Sequence, residues 1–108
     1  MHLQLTVSAP SPEEAKEICD ALLMQKLIAG SMITSGDARY WWKSEIVQKT
    51  YWNINAYTLD KQKEKIIPVI KSLSSDECPI ITFAKIDGSK DFLDWVAENA
   101  NGAGENKK

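Results

Sequence analysis

The sequence predicts an α+β sandwich of the ferredoxin-like βαββαβ kind, with an extra C-terminal helix and a long hairpin projecting between its second and third strands. Three observations predict it. Stretches of period two and period 3.6 follow one another as strand, helix, strand, strand, helix, strand, helix, which is the split βαβ order. Tyr40-Trp41-Trp42 runs through a polar Lys43-Ser44-Glu45 turn into a second alternating run from Ile46, the pattern of a hairpin. The chain has 108 residues, 44% hydrophobic and 26% charged, which suits one globular domain. That domain is expected over residues 1–99, with a disordered tail over 100–108.

Each element has a local cause. His2 to Ser8 alternates, with Leu3, Leu5 and Val7 on one face, and reads as a half-buried strand. Ser11-Pro12-Glu13-Glu14 starts a helix: serine as N-cap, proline at the first helical position, and glutamate three residues after the cap. Ala15, Ile18, Cys19, Leu22 and Leu23 then form its apolar stripe, and the helix should end near Lys26. Ile28 to Ser35 is a second strand, interrupted by turn or bulge chemistry at Gly36-Asp37 and resuming from Arg39 to Trp42. Ile46 to Tyr57 is the third strand.

Asp60 is the expected N-cap of a lysine-rich second helix with Ile66, Val69, Ile70 and Leu73 on its apolar side. Pro68 inside that helix costs roughly 3 kcal/mol and predicts a kink or a late start. Ile80 to Ile86 follows Pro79 as the fourth strand. Gly88-Ser89 precedes a short helix carrying Phe92, Trp95 and Val96 on one side. From Asn99 the small and polar residues have nothing to bury.

Composition excludes several function classes. A net charge of −2 and an isoelectric point near 5.4 argue against an electrostatic grip on nucleic acid or anionic membrane. No apolar run approaches a membrane span, and no basic-then-apolar leader is visible, so the expected address is the cytoplasm, with no membrane partner. There Cys19 and Cys78 are expected as reduced thiols. No histidine stands as a base beside a nucleophile, and there is no Gly-rich phosphate loop or Cys-x-x-Cys pair, so the chain is expected not to be an enzyme.

The hairpin carries the strongest functional signal. Tyr40 and Trp42 share one face and Trp41 occupies the other, so both faces carry large rings. A two-stranded ribbon cannot cover both of its own faces. Tyr40, Trp41, Trp42, Lys43, Ile46 and Trp52 are therefore the expected interface with another subunit.

With these motifs in hand, the chain resembles the CutA divalent-ion tolerance proteins. Val7-Ser8-Ala9-Pro10 is similar to that family's exit from the first strand, and Lys26-Leu27-Ile28-Ala29-Gly30 to its entry into the second. Tyr40-Trp41-Trp42-Lys43-Ser44-Glu45-Ile46 is similar to its Tyr-x-Trp-Lys-x-x-Ile hairpin. Ser74-Ser75-Asp76-Glu77-Cys78-Pro79 partly matches its His-Pro-Tyr-Glu-x-Pro turn, and Phe92-Leu93-Asp94-Trp95-Val96 resembles its closing helix. The resemblance implies a ferredoxin-like homotrimer whose hairpins pair between subunits, a link to tolerance of divalent ions such as copper, and kinship with the fold group of PII signalling proteins. It departs at Gly30, where the family has cysteine, and at Ser74 and Asp76, where it has histidine and tyrosine. It departs also at Tyr57, for lysine, and at Val47-Gln48-Lys49, for acidic residues.

For a metal ion, copper or zinc, the candidate donors are Asp76, Glu77 and Cys78, with missing ligands supplied by a neighbouring subunit. The bland reading of the same residues is a solvated turn. His2, the only histidine, reads as a terminal solvated residue, and Cys19 as a small core hydrophobe. Two alternatives stand beside the metal-tolerance trimer: a PII-like sensor taking a small anionic metabolite or nucleotide in the cleft between subunits, and a purely structural assembly module.

Overall fold

The computed structural model describes residues 1–104. The elements are β1 (His2–Ala9), α1 (Pro12–Met24), β2 (Gly30–Trp42), β3 (Glu45–Leu59), a 3-10 turn (Asp60–Gln62), α2 (Lys63–Leu73), β4 (Ile81–Lys85) and α3 (Lys90–Asn99). The four strands form one sheet in the order β2-β3-β1-β4, and all three pairings are antiparallel. This is the ferredoxin-like arrangement that the order of elements predicts.

The core lies between α1, α2 and one face of the sheet. Leu5 pairs with Ala56 and Val7 with Ile54, so these four side chains share a face. They pack against Ala15, Ile18 and Leu22 of α1 and Ile66 and Ile70 of α2, all fully buried. Each fully buried leucine or isoleucine contributes about 1.5–3 kcal/mol. Ser11 caps α1 as expected, its hydroxyl accepting from the Glu14 N–H at 3.2 Å. The reciprocal arm of the capping box is absent. Glu14 instead sends its carboxylate to the Ser75 N–H at 3.1 Å, in the segment after α2.

α3 covers part of the opposite sheet face. Its Phe92 ring meets Tyr57 edge-on with centroids 5.0 Å apart, and Val96 is buried with Leu59 and Ala100. Trp95 does not share that burial: it is 43% exposed, with its ring over Gly30. A Cβ at position 30 would come within 2.9 Å of Trp95 Cη2, so only glycine fits beneath the ring where it stands.

Other expectations are corrected. β2 is not interrupted: Gly36 pairs with Tyr51 and Asp37 with Thr50 in an unbroken one-to-one register. Arg39 and Asp37, two residues apart on one face, form an ion pair at 3.0 Å along this extended stretch. The hairpin turn is two residues, because Glu45 already pairs with Trp42. Lys43 and Ser44 both take positive φ, 49° and 68°, as a tight turn matched to strand twist requires.

Asp60 does not cap α2. A 3-10 turn intervenes, the helix starts late at Lys63, and the Asp60 carboxylate receives the chain's terminal ammonium at 3.3 Å. Pro68 is thereby accommodated inside the helix at an exposed position.

The expectation of a structureless tail from residue 100 does not hold for residues 100–104. Ala100 is fully buried, and its carbonyl accepts from the Gln62 side chain at 3.0 Å. Gly102 N–H donates to the Lys26 carbonyl at 2.8 Å and Gly104 N–H to that of Gln25 at 3.3 Å. The rest of the expected tail, residues 105–108, lies outside the described residues.

Candidate functional site

The outer half of the hairpin and the segment between α2 and β4 together form a groove of about 740 Å³. Strand register builds its floor. Tyr40 stands opposite Val47, Trp42 opposite Glu45, Ala38 opposite Lys49, and Gly36 opposite Tyr51. Alternation places Tyr40, Trp42, Lys49 and Tyr51 on the sheet face opposite α1 and α2. Trp41 and Ile46, paired with each other, take the remaining face and are 72% and 67% exposed. The two-faced aromatic hairpin inferred from the sequence is present. Trp52 differs from its companions: it is half-buried against the core.

The wall is the segment 74–80, and it is tied down at several points. Ser74 Oγ accepts from the Asp76 N–H at 3.2 Å. Ser8 Oγ accepts from the Ile80 N–H at 2.9 Å, and Ser8 N–H donates to the Ile80 carbonyl. Tyr51 donates its hydroxyl to Asp76 Oδ2 at 2.9 Å, closing wall onto floor. Lys43 Nζ lies 3.8 Å from Glu77 Oε1 at the rim, both groups well exposed. Glu14 Oε2 is buried with no partner, the cost of turning that carboxylate toward the wall.

The rings are close enough to act as one surface. Tyr40 and Tyr51 meet edge-on with centroids 5.8 Å apart. Lys49 Nζ stands 5.0 Å from the Tyr51 ring centroid and Lys43 Nζ 5.8 Å from that of Trp42, both in cation–π range. Burial first, then the hydrogen bonds with Tyr40 and Asp76, push the Tyr51 hydroxyl far above its ordinary value. The Tyr51 hydroxyl is thus held as the proton donor to Asp76.

The candidate donors Asp76, Glu77 and Cys78 line this groove, and Cys78 is an exposed free thiol. They do not converge within one chain. Asp76 is engaged by Tyr51 and Glu77 by Lys43, and the described residues contain no group of three or more His, Cys, Asp or Glu able to hold a metal ion. Cys19 is buried beside Ser31, and burial raises its thiol pKa, so it stays protonated. His2 bonds the Leu93 carbonyl through Nε2 at 2.8 Å, which makes that nitrogen the donor, and it lies away from the groove on the α3 side.

Sequence reasoning overlooked Tyr51, Lys49 and Glu14. Lys49 and Tyr51 stand two residues apart in β3 and so share one face. Nothing local to the sequence marks Glu14 as the partner of Ser75.

The model of the family described as CutA1 divalent ion tolerance protein matches residues 3–99. This chain belongs to the CutA1 family. The divalent-cation tolerance protein CutA of Archaeoglobus fulgidus is 32% identical over 99 residues, 91% of this chain and 97% of that one. Its structure, described as that of a periplasmic protein, has a TM-score of 0.89 and covers 93% and 99% of the two chains. The CutA of Thermotoga maritima is 30% identical over 91 residues, 83% and 90% of the two chains. The CutA1 structure from Thermus thermophilus has a TM-score of 0.88 at 28% identity over 92% and 98% of the two chains. The CutA1 fold thus spans the sheet, α1, α2 and α3, and the groove sits on its hairpin.

Proposed function

We propose that this CutA1-family chain is a non-enzymatic homotrimer that takes part in tolerance of divalent ions, copper or zinc. The observation that carries the assembly is the hairpin. Trp41 and Ile46 stand side by side, 72% and 67% exposed, and Trp42 is 38% exposed on the other face. That apolar area on a two-stranded ribbon is the kind that a second copy covers. The outer edge of β2 adds to it, since thirteen residues run there without a bulge or proline.

In the trimer, Asp76, Glu77 and Cys78 supply part of a donor set for a borderline divalent ion, and a neighbouring subunit supplies the rest. Oxygen donors with one thiolate suit copper or zinc. The non-enzymatic reading is supported by Tyr51, whose proton is held, and by His2, whose ring nitrogen is bonded far from the groove. The free thiols Cys19 and Cys78 support a reducing compartment, the cytoplasm, although the Archaeoglobus relative is described as periplasmic. Among the described residues no helix is long and apolar enough to cross a membrane.

Light scattering in dilute solution tests the assembly, with about three chain masses expected by closed cyclic symmetry. Calorimetric titration with copper and zinc tests the ion, and Cys78→Ser should weaken whichever ion binds. A stable monomer refutes the assembly, and titrations that stay silent in the trimer refute the metal role.

A further inference from the structure

We infer that Asn101-Gly102 is a self-modification site, a junction that deamidates to aspartate or isoaspartate, is held unreactive by the folded chain, and unlatches the segment after α3 once modified. The inference goes beyond the metal and assembly readings and depends on neither, because this segment packs on Lys26 and Gln62 rather than on the hairpin. Residue type comes first. Asn101-Gly102 is the one Asn-Gly pair in the chain. Glycine has no Cβ to shield its nitrogen, so that nitrogen can reach the preceding side chain. The Gly102 nitrogen gives up its proton and bonds to Asn101 Cγ, the bond from Cγ to Nδ2 breaks, and ammonia leaves. Water then opens the resulting succinimide on either side, leaving one new carboxylate. Water is the only co-reactant.

The fold restrains every group in this reaction. Gly102 N–H donates to the Lys26 carbonyl at 2.8 Å. Asn101 Nδ2 donates to the Glu98 carbonyl at 2.8 Å, and Asn101 Oδ1 accepts from the Ala103 N–H at 2.8 Å. Gln62 completes this clasp: it donates to the Ala100 carbonyl at 3.0 Å and lies so close to Gly102 that a Cβ there would come within 3.0 Å of it. Deamidation is slow against local opening, so its rate follows the population of the open clasp. Modification then works in one direction. A carboxylate at position 101 has no proton to give the Glu98 carbonyl, and it stands at the C-terminal end of α3, where negative charge is unfavourable. The isoaspartyl form lengthens the backbone by a methylene and moves Gly102 off Lys26.

The test incubates the full chain at mildly alkaline pH, folded and in guanidinium chloride, and follows loss of the Asn101 amide by peptide mass mapping. Exchange of the Gly102 amide hydrogen is measured on the same protein by nuclear magnetic resonance. The folded chain should deamidate slower than the unfolded one by about tenfold or more, and by the same factor that protects Gly102 N–H, since both need one opening. Gln62→Ala should speed both processes about tenfold, the scale of one hydrogen bond to a buried carbonyl. Asn101→Asp, which carries the carboxylate of the product, should speed Gly102 exchange about fivefold. The inference is overturned if folded and unfolded chains deamidate alike, or if protection against deamidation falls well short of that of Gly102 N–H. It is overturned equally if Asn101→Asp leaves Gly102 exchange unchanged, a readout that stands even where Gln62→Ala fails to fold.

Discussion

Tyr51 does two things that no other side chain in the groove does: it forms part of the floor and it holds the wall. Its hydroxyl donates to Asp76 across 25 positions of sequence. Its raised pKa makes this link pH-dependent in a definite direction. The unfolded tyrosine loses its proton near 10, whereas burial and its two partners keep the folded one protonated beyond that. Between those values the unfolded state binds fewer protons, so stability falls as pH rises above about 10. Thermal melts from pH 8 to 11 should show that fall in the wild type and a shallower one in Tyr51→Phe. Equal slopes would mean the hydroxyl is not held. At pH 7 the same substitution should cost about 1–2 kcal/mol, since it leaves the carboxylate without its donor. Glu14→Ala acts on the wall from the other side, and urea melts should place its cost near 1 kcal/mol for the bond to Ser75.

Among the elements, α3 and the hairpin separate stability from assembly. Trp95 is half-exposed rather than packed in the stripe with Val96, so Trp95→Ala should cost about 1–2 kcal/mol, well below the 3–5 of a fully buried ring. Val96→Ala, at a fully buried position, should cost as much or more despite removing a smaller side chain. Denaturant melts of the two variants decide the ranking. The segment after α3 behaves as part of the fold. A chain ending at Asn99 loses Ala100 from its pocket and the bonds from Gln62 and to Lys26, and should melt several degrees lower, for about 2–3 kcal/mol. A chain ending at Gly104 should melt like the full length. If both truncations melt alike, residues 100–104 contribute nothing.

At the level of the whole molecule, the chain has a radius of gyration of 14.2 Å and extents of 43 × 32 × 21 Å. A compact chain of this length has about 13 Å, and the excess fits a hairpin that stands out from the body. That shape makes the assembly prediction sharp. Trp42→Ala should weaken association before it weakens the fold, so that its melting midpoint depends more steeply on protein concentration than the wild type's. Melts over a hundredfold concentration range, with mass measured at each end, provide the check. A variant that stays fully assembled and melts like wild type throughout would remove the hairpin from the interface.

Periodicity, caps and turn chemistry determined the order of the elements, the Ser11 cap, the core stripe of α1 and the two-faced hairpin, because each arises among residues a few positions apart. The family resemblance was legible for the same reason, in short motifs kept in order. What the tertiary structure alone decided lies between residues distant in sequence. It turned Glu14 from a capping partner into a tether for Ser75, 61 positions away, and it occupied Asp76 and Glu77 with Tyr51 and Lys43, so that the expected donors do not converge. It carried β2 straight through Gly36-Asp37, because a strand paired residue by residue with β3 gains ladder bonds that local turn propensity does not match. It also docked Ala100 under Gln62, a burial that a run of small and polar residues cannot announce, since the cavity that receives it is made by other elements.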